Sequence, residues 1–114
     1  MKSMRPGTVS PPWLVAAFAA CLMLPCLATA AGKVHTVRIE GMKFVPEHIE
    51  VSKGDTIDWV NNDIVPHTVS APAASIESGS IEPKTHWKWT ASRTAGIAYV
   101  CRFHPGMRGT LRVD

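Results

Sequence analysis

Hydrophobic and polar residues alternate along most of the chain after residue 32, in short segments separated by turn-forming residues. In the first of these segments, Lys33–Glu40, Val37 and Ile39 fall on one face and polar or charged neighbours fall on the other. A repeat of two residues is typical of a β-strand with one buried face. The same repeat runs through Ile49 and Val51 and ends at the turn sequence 53–55.

The rest of the chain continues this pattern and offers no segment with the 3.6-residue repeat of a helix. Trp87 and Trp89 alternate with polar residues, which predicts a strand that packs both indoles on one face. Residues 71–82, rich in Ala, Ser, Pro and Gly, predict a loop with room for one helical turn. Further strands are predicted at 56–61, 68–71, 97–102 and 109–113. The fold class is therefore all-β, an antiparallel sandwich or barrel in a single small domain.

The first 30 residues have the composition of a secretory signal peptide. Lys2 and Arg5 supply a positive start, residues 13–27 are almost wholly apolar, and Ala30 ends an A-x-A cleavage sequence. A retained membrane anchor is the alternative, but the apolar run is shorter than the roughly 20 residues of a spanning helix. We therefore expect export to the periplasm, cleavage near Ala30 and a functional domain of residues 31–114.

Export changes the charge and the cysteine content of the protein. The twelve Lys and Arg residues fall to ten once Lys2 and Arg5 leave with the signal, against nine acidic residues, and no basic cluster suggests nucleic-acid binding. Two of the three cysteines also leave, so Cys101 stays alone in an oxidising compartment without a disulfide partner. Because a domain this small often needs a metal or a disulfide, Cys101 is either a buried apolar residue or a metal ligand.

The segment 101–107 places a thiol, an imidazole and a thioether at C-x-x-H-x-x-M spacing. A strand that ends at Cys101, followed by a loop stiffened by Pro105 and reversed at Gly106, can bring the three side chains to one point. Far upstream, a second imidazole stands just before a predicted strand. Two imidazoles and a thiolate with a weak axial thioether are the ligands of a blue copper centre, whereas structural zinc rarely uses Met. The sequence thus predicts one copper ion, cycling between Cu(I) and Cu(II), bound by His67, Cys101, His104 and Met107.

Each of these residues has a simpler interpretation when taken singly, since a lone Cys or Met is usually a core residue. Their joint placement at strand ends favours the metal site. Catalysis by a cysteine nucleophile with His is disfavoured, because no Asn or Asp stands at a recognisable spacing and the domain leaves little room for a substrate cleft. We therefore expect no enzymatic activity. A copper-delivery module and a metal-free interaction domain stay open as alternatives.

The chain resembles the cupredoxins, and among them the plastocyanin and amicyanin group, over almost all of Lys33–Asp114. The motifs that carry the resemblance in the first half are Met42-x-Phe44-x-Pro46 and Ile49-x-Val51-x-x-Gly54-Asp55-x-Ile57-x-Trp59-x-Asn61. Those in the second half are Pro66-His67 and Tyr99-x-Cys101-x-x-His104-x-x-Met107, with the short spacing from His to Met that amicyanin has. The resemblance implies a Greek-key β-sandwich with copper at one end.

The resemblance also implies a function, the shuttling of single electrons between larger redox proteins such as a dehydrogenase, a cytochrome, an oxidase or a reductase. We expect brief contacts with these partners and a monomeric protein without a membrane span after signal cleavage. His104 would face solvent as the electron port, inside a small apolar rim of Pro66, Pro105 and Gly106. Arg102 and Arg108 flank the site and would steer an acidic partner.

Three features depart from the group. Thr68 stands where the group often has an Asn that ties the two ligand loops together, so only part of that support is expected. The stretch from His67 to Cys101 is short, which implies that a strand or loop in the middle is trimmed. The pair Trp87 and Trp89 is assigned to core packing. Tyr99 is expected in the core below the metal, Phe103 as a residue that packs or screens the site, and surface positions are predicted for His35, His48 and His86.

Overall fold

The computed structural model describes residues 32–114 and, before them, the isolated positions 3, 4, 7, 20, 22, 23 and 25. The predicted signal peptide and its cleavage site therefore lie outside the described residues, apart from those few positions. Within the part of the chain that is described, no helix is long and apolar enough to cross a membrane.

Within residues 32–114, nine strands form two sheets, with strand order β2-β1-β4-β7 in the first and β3-β9-β8-β5-β6 in the second. A short 3-10 turn, Pro72–Ala74, lies between β5 and β6. The strands are β1 Val34–Glu40, β2 Lys43–Val45, β3 His48–Val51, β4 Thr56–Asn61, β5 Ser70–Ala71, β6 Ile76–Glu77, β7 His86–Thr90, β8 Ala95–Val100 and β9 Arg108–Val113.

The sheets are mixed, a refinement of the antiparallel arrangement expected from the sequence. β1 runs parallel to β4, β3 runs parallel to β9, and the other pairs are antiparallel. Parallel neighbours arise because the chain passes through the other sheet between β1 and β4 and again between β3 and β9, and parallel strands need such a crossover. The all-β sandwich itself is confirmed.

The core lies between the two sheets and follows the predicted alternation. The inward residues of β1, β4, β8 and β9 are almost fully buried, as expected for one apolar face per strand. They are Val37, Ile39, Ile57, Trp59, Ile97, Tyr99, Leu111 and Val113. Burial raises the pKa of Tyr99 to about 12, so its phenol stays neutral at any physiological pH. The predicted place of Tyr99 in the core, two residues before Cys101, is confirmed.

Trp87 and Trp89 also face inward, but they are only half-buried. β7 is the outer strand of its sheet, so its inward side chains are covered by fewer neighbours than those of the central strands. Trp87 stacks against the fully buried Trp59, with ring centroids 5.6 Å apart. The core-packing role predicted for this pair therefore holds at the margin of the core.

The strand predicted at 68–71 is shorter than expected, because the chain turns there toward the predicted ligands. The segment 68–71 keeps strand pairing only at Ser70–Ala71, preceded by an isolated bridge between His67 and Ile81. The backbone amide of Thr68 donates to the sulfur of Cys101 instead of to a neighbouring strand. Strand pairing is thus interrupted where the chain turns toward the predicted ligands.

Candidate metal centre

His67 is held by a loop that a buried asparagine closes. The amide nitrogen of Asn61 donates to the carbonyls of Val65 and Ile81, each at 2.9 Å. Its carbonyl oxygen accepts the backbone N–H of Asp63 at 2.9 Å. His67 itself exchanges two backbone hydrogen bonds with Ile81. Because one side chain satisfies several backbone groups of the loop, the imidazole of His67 projects from a fixed backbone.

The other three predicted ligands lie in the connection between β8 and β9. The N–H of Cys101 donates to the carbonyl of Met107 at 3.1 Å, and the N–H of Met107 donates to the carbonyl of His104 at 2.8 Å. These two bonds close the loop, with Pro105 and Gly106 at its exposed tip. The stiff loop expected from the Pro-Gly sequence is therefore stabilised by its own backbone as well.

Three donor atoms meet at one pole of the sandwich. The sulfur of Cys101 lies 3.7 Å from Nδ1 of His67 and 3.7 Å from Nδ1 of His104. Within the described residues, these three form the cluster whose side chains could together hold a metal ion, with donor atoms all within 4.8 Å of one another. Cys101 and His67 are both 0% exposed, and His104 is partly exposed. Met107, 4% exposed, is buried in the same loop.

The spacing of these donors fits a metal ion between them. Metal–nitrogen bonds of about 2.0 Å and metal–sulfur bonds of about 2.3 Å, about 120° apart, place N and S about 3.7 Å from each other. Two imidazoles and a thiolate in such a trigonal set, with a thioether nearby, are the donors of a blue copper centre. The residues present therefore fit copper.

The far side of the His67 ring contacts a carboxylate that the sequence did not single out. Nε2 of His67 lies 2.8 Å from Oδ2 of Asp63. The same oxygen accepts the backbone amide of Met42 at 3.0 Å, and Oδ1 accepts that of Gly41 at 2.7 Å. Burial raises the pKa of Asp63, but the hydrogen bonds from these amides and from His67 outweigh it, so the pKa lies below its usual value. The carboxylate is therefore ionised at neutral pH.

Thr68 joins the two ligand loops. Its backbone N–H donates to the sulfur of Cys101 at 3.3 Å, and its hydroxyl accepts the N–H of Arg102 at 2.9 Å. The hydroxyl and the backbone amide of Thr68 thus both bond to the Cys101 loop.

The Thr68 hydroxyl also begins a chain of polar contacts that ends on Arg102. Thr68 is hydrogen-bonded to Ser70 at 3.0 Å, Ser70 donates to Glu77 at 2.9 Å, and Glu77 lies 2.7 Å from the guanidinium of Arg102. The charge of Arg102 is therefore largely compensated within the protein, which weakens its predicted role in steering. Arg108 is exposed and keeps that role as a prediction.

Apolar side chains surround the partly exposed His104. Phe103 is 51% exposed, and it lines one surface pocket together with Met42, His104, Pro105 and Gly106. Phe103 therefore forms part of the surface beside the site. Met42, from the turn between β1 and β2, adds an apolar side chain to this rim that the sequence did not predict.

The histidines outside the site are only partly as predicted. His48 and His86 are exposed, as expected. His35 is only partly at the surface, because its side chain is 30% exposed and Nε2 lies 2.8 Å from the carboxylate of Asp55. The Asp55 carboxylate binds two backbone amides in addition, so this pair is a structural feature of the pole opposite the predicted ligands.

Comparison with known proteins adds a family match to this geometry. A family model described as copper binding proteins, plastocyanin/azurin family, matches residues 31–114. The chain is 28% identical over 92 residues to an amicyanin of Paracoccus denitrificans, which covers 76% of this chain and 70% of the relative. It is 30% identical over 82 residues to a plastocyanin of Prochlorothrix hollandica, which covers 62% of this chain and 63% of the relative.

Solved structures agree with the sequence comparison. A Cu(I) form of a mutant amicyanin superposes with a TM-score of 0.69 at 27% identity, covering 76% of this chain and 88% of that one. A copper-containing nitrite reductase from Thermus scotoductus superposes with a TM-score of 0.66 at 22% identity, over 70% of this chain but 22% of that one. The second likeness shows the fold alone. The family match spans all four predicted ligands.

Proposed function

The chain belongs to the plastocyanin/azurin family of copper-binding proteins, and on that premise we propose that it is a periplasmic type 1 copper protein that carries single electrons between larger redox proteins, with its ion bound by His67, Cys101, His104 and Met107. The observation that carries the proposal is the position of the Cys101 sulfur, 3.7 Å from Nδ1 of both histidines.

The copper ion supplies the one-electron chemistry, by alternating between Cu(I) and Cu(II). The protein contributes a donor set that serves both valences and a backbone that keeps the donors in place. Asn61 fixes the His67 loop and Thr68 fixes the Cys101 loop, so little rearrangement accompanies a change of charge. The burial of Cys101 excludes water from the thiolate, which protects it from oxidation.

Electrons enter and leave through His104 in this proposal. His104 is the partly exposed member of the donor cluster, while His67 is fully buried. The apolar rim of Met42, Phe103 and Pro105 suits brief docking, because a small interface is typical of weak encounters between redox proteins. Exposed Arg108 adds steering toward an acidic partner, so association slows as ionic strength rises.

A copper-delivery protein is the second candidate. Such a protein favours Cu(I) and exchanges its ion readily, whereas here the thiolate and one imidazole are buried and hydrogen-bonded. The chain covers only 22% of the nitrite reductase, so this likeness gives no support to an enzymatic function. We therefore favour the carrier, which should retain copper against a mild Cu(I) chelator on the time scale of electron exchange.

The proposal includes a cleaved export signal, residues 1–30, and a functional domain of residues 31–114. The family match begins at residue 31, directly after the predicted cleavage sequence, which supports this boundary. The intact mass of the protein recovered from the periplasm tests it. A mass that includes residues 1–30 contradicts the proposed cleavage.

Visible spectroscopy tests the ligand set. Cu(II) added to the native protein should give an intense blue thiolate-to-copper band that ascorbate bleaches. Cys101→Ser should abolish the band and His104→Ala should shift or weaken it, whereas the exposed control His48→Ala should leave it unchanged. A colourless Cu(II) complex of the native protein contradicts the carrier function.

A further inference from the structure

The contact between Asp63 and His67 differs from the other histidine–carboxylate contacts of the described residues. His67 is 0% exposed and its Nε2 lies 2.8 Å from the Asp63 carboxylate. The His86–Asp58 pair has the same 2.8 Å distance, but its imidazole is 55% exposed. A hydrogen bond to an ionised carboxylate is stronger than one between neutral groups, and at His67 water has no access to the ring that would compete for it. The two pairs thus differ in the burial of the imidazole, since the carboxylates are 14% and 15% exposed.

The Asp63 carboxylate is held in position by three donors. One oxygen accepts the N–H of Gly41, and the other accepts the N–H of Met42 and faces Nε2 of His67. Gly41 and Met42 both have positive φ, 59° and 61°, and form the tight turn between β1 and β2. The carboxylate thus connects His67 to a turn more than twenty residues upstream.

This arrangement determines which nitrogen of His67 carries the proton. A carboxylate at Nε2 accepts a hydrogen bond from Nε2–H, which leaves the lone pair of the neutral ring on Nδ1. Nδ1 is the atom that faces the Cys101 sulfur at 3.7 Å. The ring is therefore presented in the tautomer that a metal ion requires, even before an ion binds.

We infer that Asp63 is a positioning residue of the copper centre, which fixes the Nδ1-accepting tautomer of His67 and, through its negative charge, favours Cu(II) over Cu(I). This inference rests on the proposed role of His67 as a ligand. A carboxylate beside a ligating imidazole makes the imidazole a stronger donor. The added electron density and negative charge stabilise the more positive valence most, so Asp63 lowers the reduction potential.

The metal-free protein provides the first test. In ¹⁵N NMR spectra, the His67 ring should carry its proton on Nε2 at neutral pH, and this proton should exchange slowly with water. In Asp63→Ala the exchange should become faster and the single tautomer should be lost. A His67 ring in the native protein that is protonated on Nδ1, or whose Nε2 proton exchanges as fast as that of exposed His86, overturns the inference without any variant or metal.

The reduction potential of the copper-loaded protein provides the second test. Asp63→Asn removes the charge and one acceptor, since an amide nitrogen cannot accept the N–H of Gly41 or Met42. We expect the affinity for Cu(II) to fall about tenfold relative to that for Cu(I), which raises the potential by about 59 mV for a one-electron couple. The matched control Asp58→Asn removes the carboxylate of the exposed His86 pair and should leave the potential unchanged.

The outcomes separate this inference from the proposed function. A native protein that gives no blue Cu(II) complex contradicts the proposed function, while the NMR test of the metal-free protein still decides whether Asp63 fixes the His67 tautomer. A blue native protein whose potential is the same after Asp63→Asn as after Asp58→Asn overturns the role of Asp63 and leaves the carrier function standing.

Discussion

Single residues next to the proposed ligands determine how firmly the ligands are held. Thr68 bonds to the Cys101 loop twice, through its backbone amide and through its hydroxyl. Asn61 does the same for the His67 loop with one side-chain amide. None of these atoms belongs to a proposed ligand, yet each one bonds to a backbone group or to the Cys101 sulfur beside the site. Their removal should therefore affect stability before it affects copper chemistry.

Thr68→Val tests this at the hydroxyl. The substitution keeps the shape of the side chain and the backbone amide that faces Cys101, but it leaves the N–H of Arg102 without its acceptor. An unsatisfied polar group of this kind costs about 1–3 kcal/mol, so the free energy of unfolding should fall by that amount while the blue band is retained. The control is Thr56→Val, since Thr56 bonds only to Thr90 on the exposed surface. Equal losses in the two variants contradict the assigned role.

The lowered pKa of Asp55 predicts how the stability of the protein falls at acidic pH. Hydrogen bonds from the amide of Ser52, from His35 and from the amide of Lys33 lower its pKa from 3.8 to about 2. Since the folded-state pKa lies below the unfolded one, the stabilisation is fully present above about pH 4 and is lost as the pH falls toward 2. Chemical denaturation of native protein and Asp55→Asn between pH 6 and 2 checks this. The variant should be less stable at pH 6, and the difference should shrink toward pH 2; a constant difference contradicts it.

Among the elements, the pair β8 and β9 determines the geometry of the loop 101–107, which holds three of the proposed ligands. The two strands are antiparallel neighbours, with Val100 opposite Arg108, so the seven residues 101–107 must connect two adjacent strand ends. A connection of this length closes on itself, as the bonds between Cys101, His104 and Met107 show. The spacing of the ligands in the sequence is therefore a consequence of the strand register.

The same strand pair makes close contact at Gly109 of β9. A Cβ atom on Gly109 would lie 2.3 Å from the ring of Tyr99 on β8, a buried residue with no room to move. Gly109→Ala should therefore lower the free energy of unfolding by about 1–3 kcal/mol, as overpacking does. Gly96→Ala on β8 is the matched control, because a Cβ there meets nothing within 4 Å. Urea denaturation compares the two, and a loss as large for Gly96→Ala contradicts the packing argument.

At the scale of the whole molecule, the site joins two distant parts of the chain. His67 lies between a strand of one sheet and a strand of the other, and Cys101, 34 residues later, begins the loop after β8. A bound ion therefore links both sheets at one pole. Since the unfolded chain cannot assemble these donors, metal binding stabilises the folded state by mass action.

Removal of copper should consequently lower the melting temperature. At a free copper concentration 100 times the Kd, binding adds about 2.7 kcal/mol, which corresponds to a shift on the order of 10–20 °C for a domain of this size. Calorimetry of the copper-loaded and metal-free protein measures the shift. His67→Ala should lose most of it. A shift that is just as large in this variant contradicts the proposed link between the sheets.

The sequence predicted local features well. The strand at 56–61 has the predicted bounds, and β1 and β9 each differ from prediction by one residue, because the alternation of apolar and polar residues is a property of each segment alone. The spacing of Cys101, His104 and Met107 is likewise a local feature, because one loop after a strand is enough to bring the three side chains together. These residues could therefore be predicted as ligands from the sequence alone.

Contacts between distant segments were decided only by the tertiary structure. The parallel pairing of β1 with β4, the bond of Asp63 to the β1–β2 turn and the chain of contacts from Thr68 to Arg102 all join residues that no local repeat relates. His35 looked like a surface residue because its partner Asp55 is twenty positions away. Alternation determines which face of a strand is buried, whereas the packing of the sheets determines which buried groups meet.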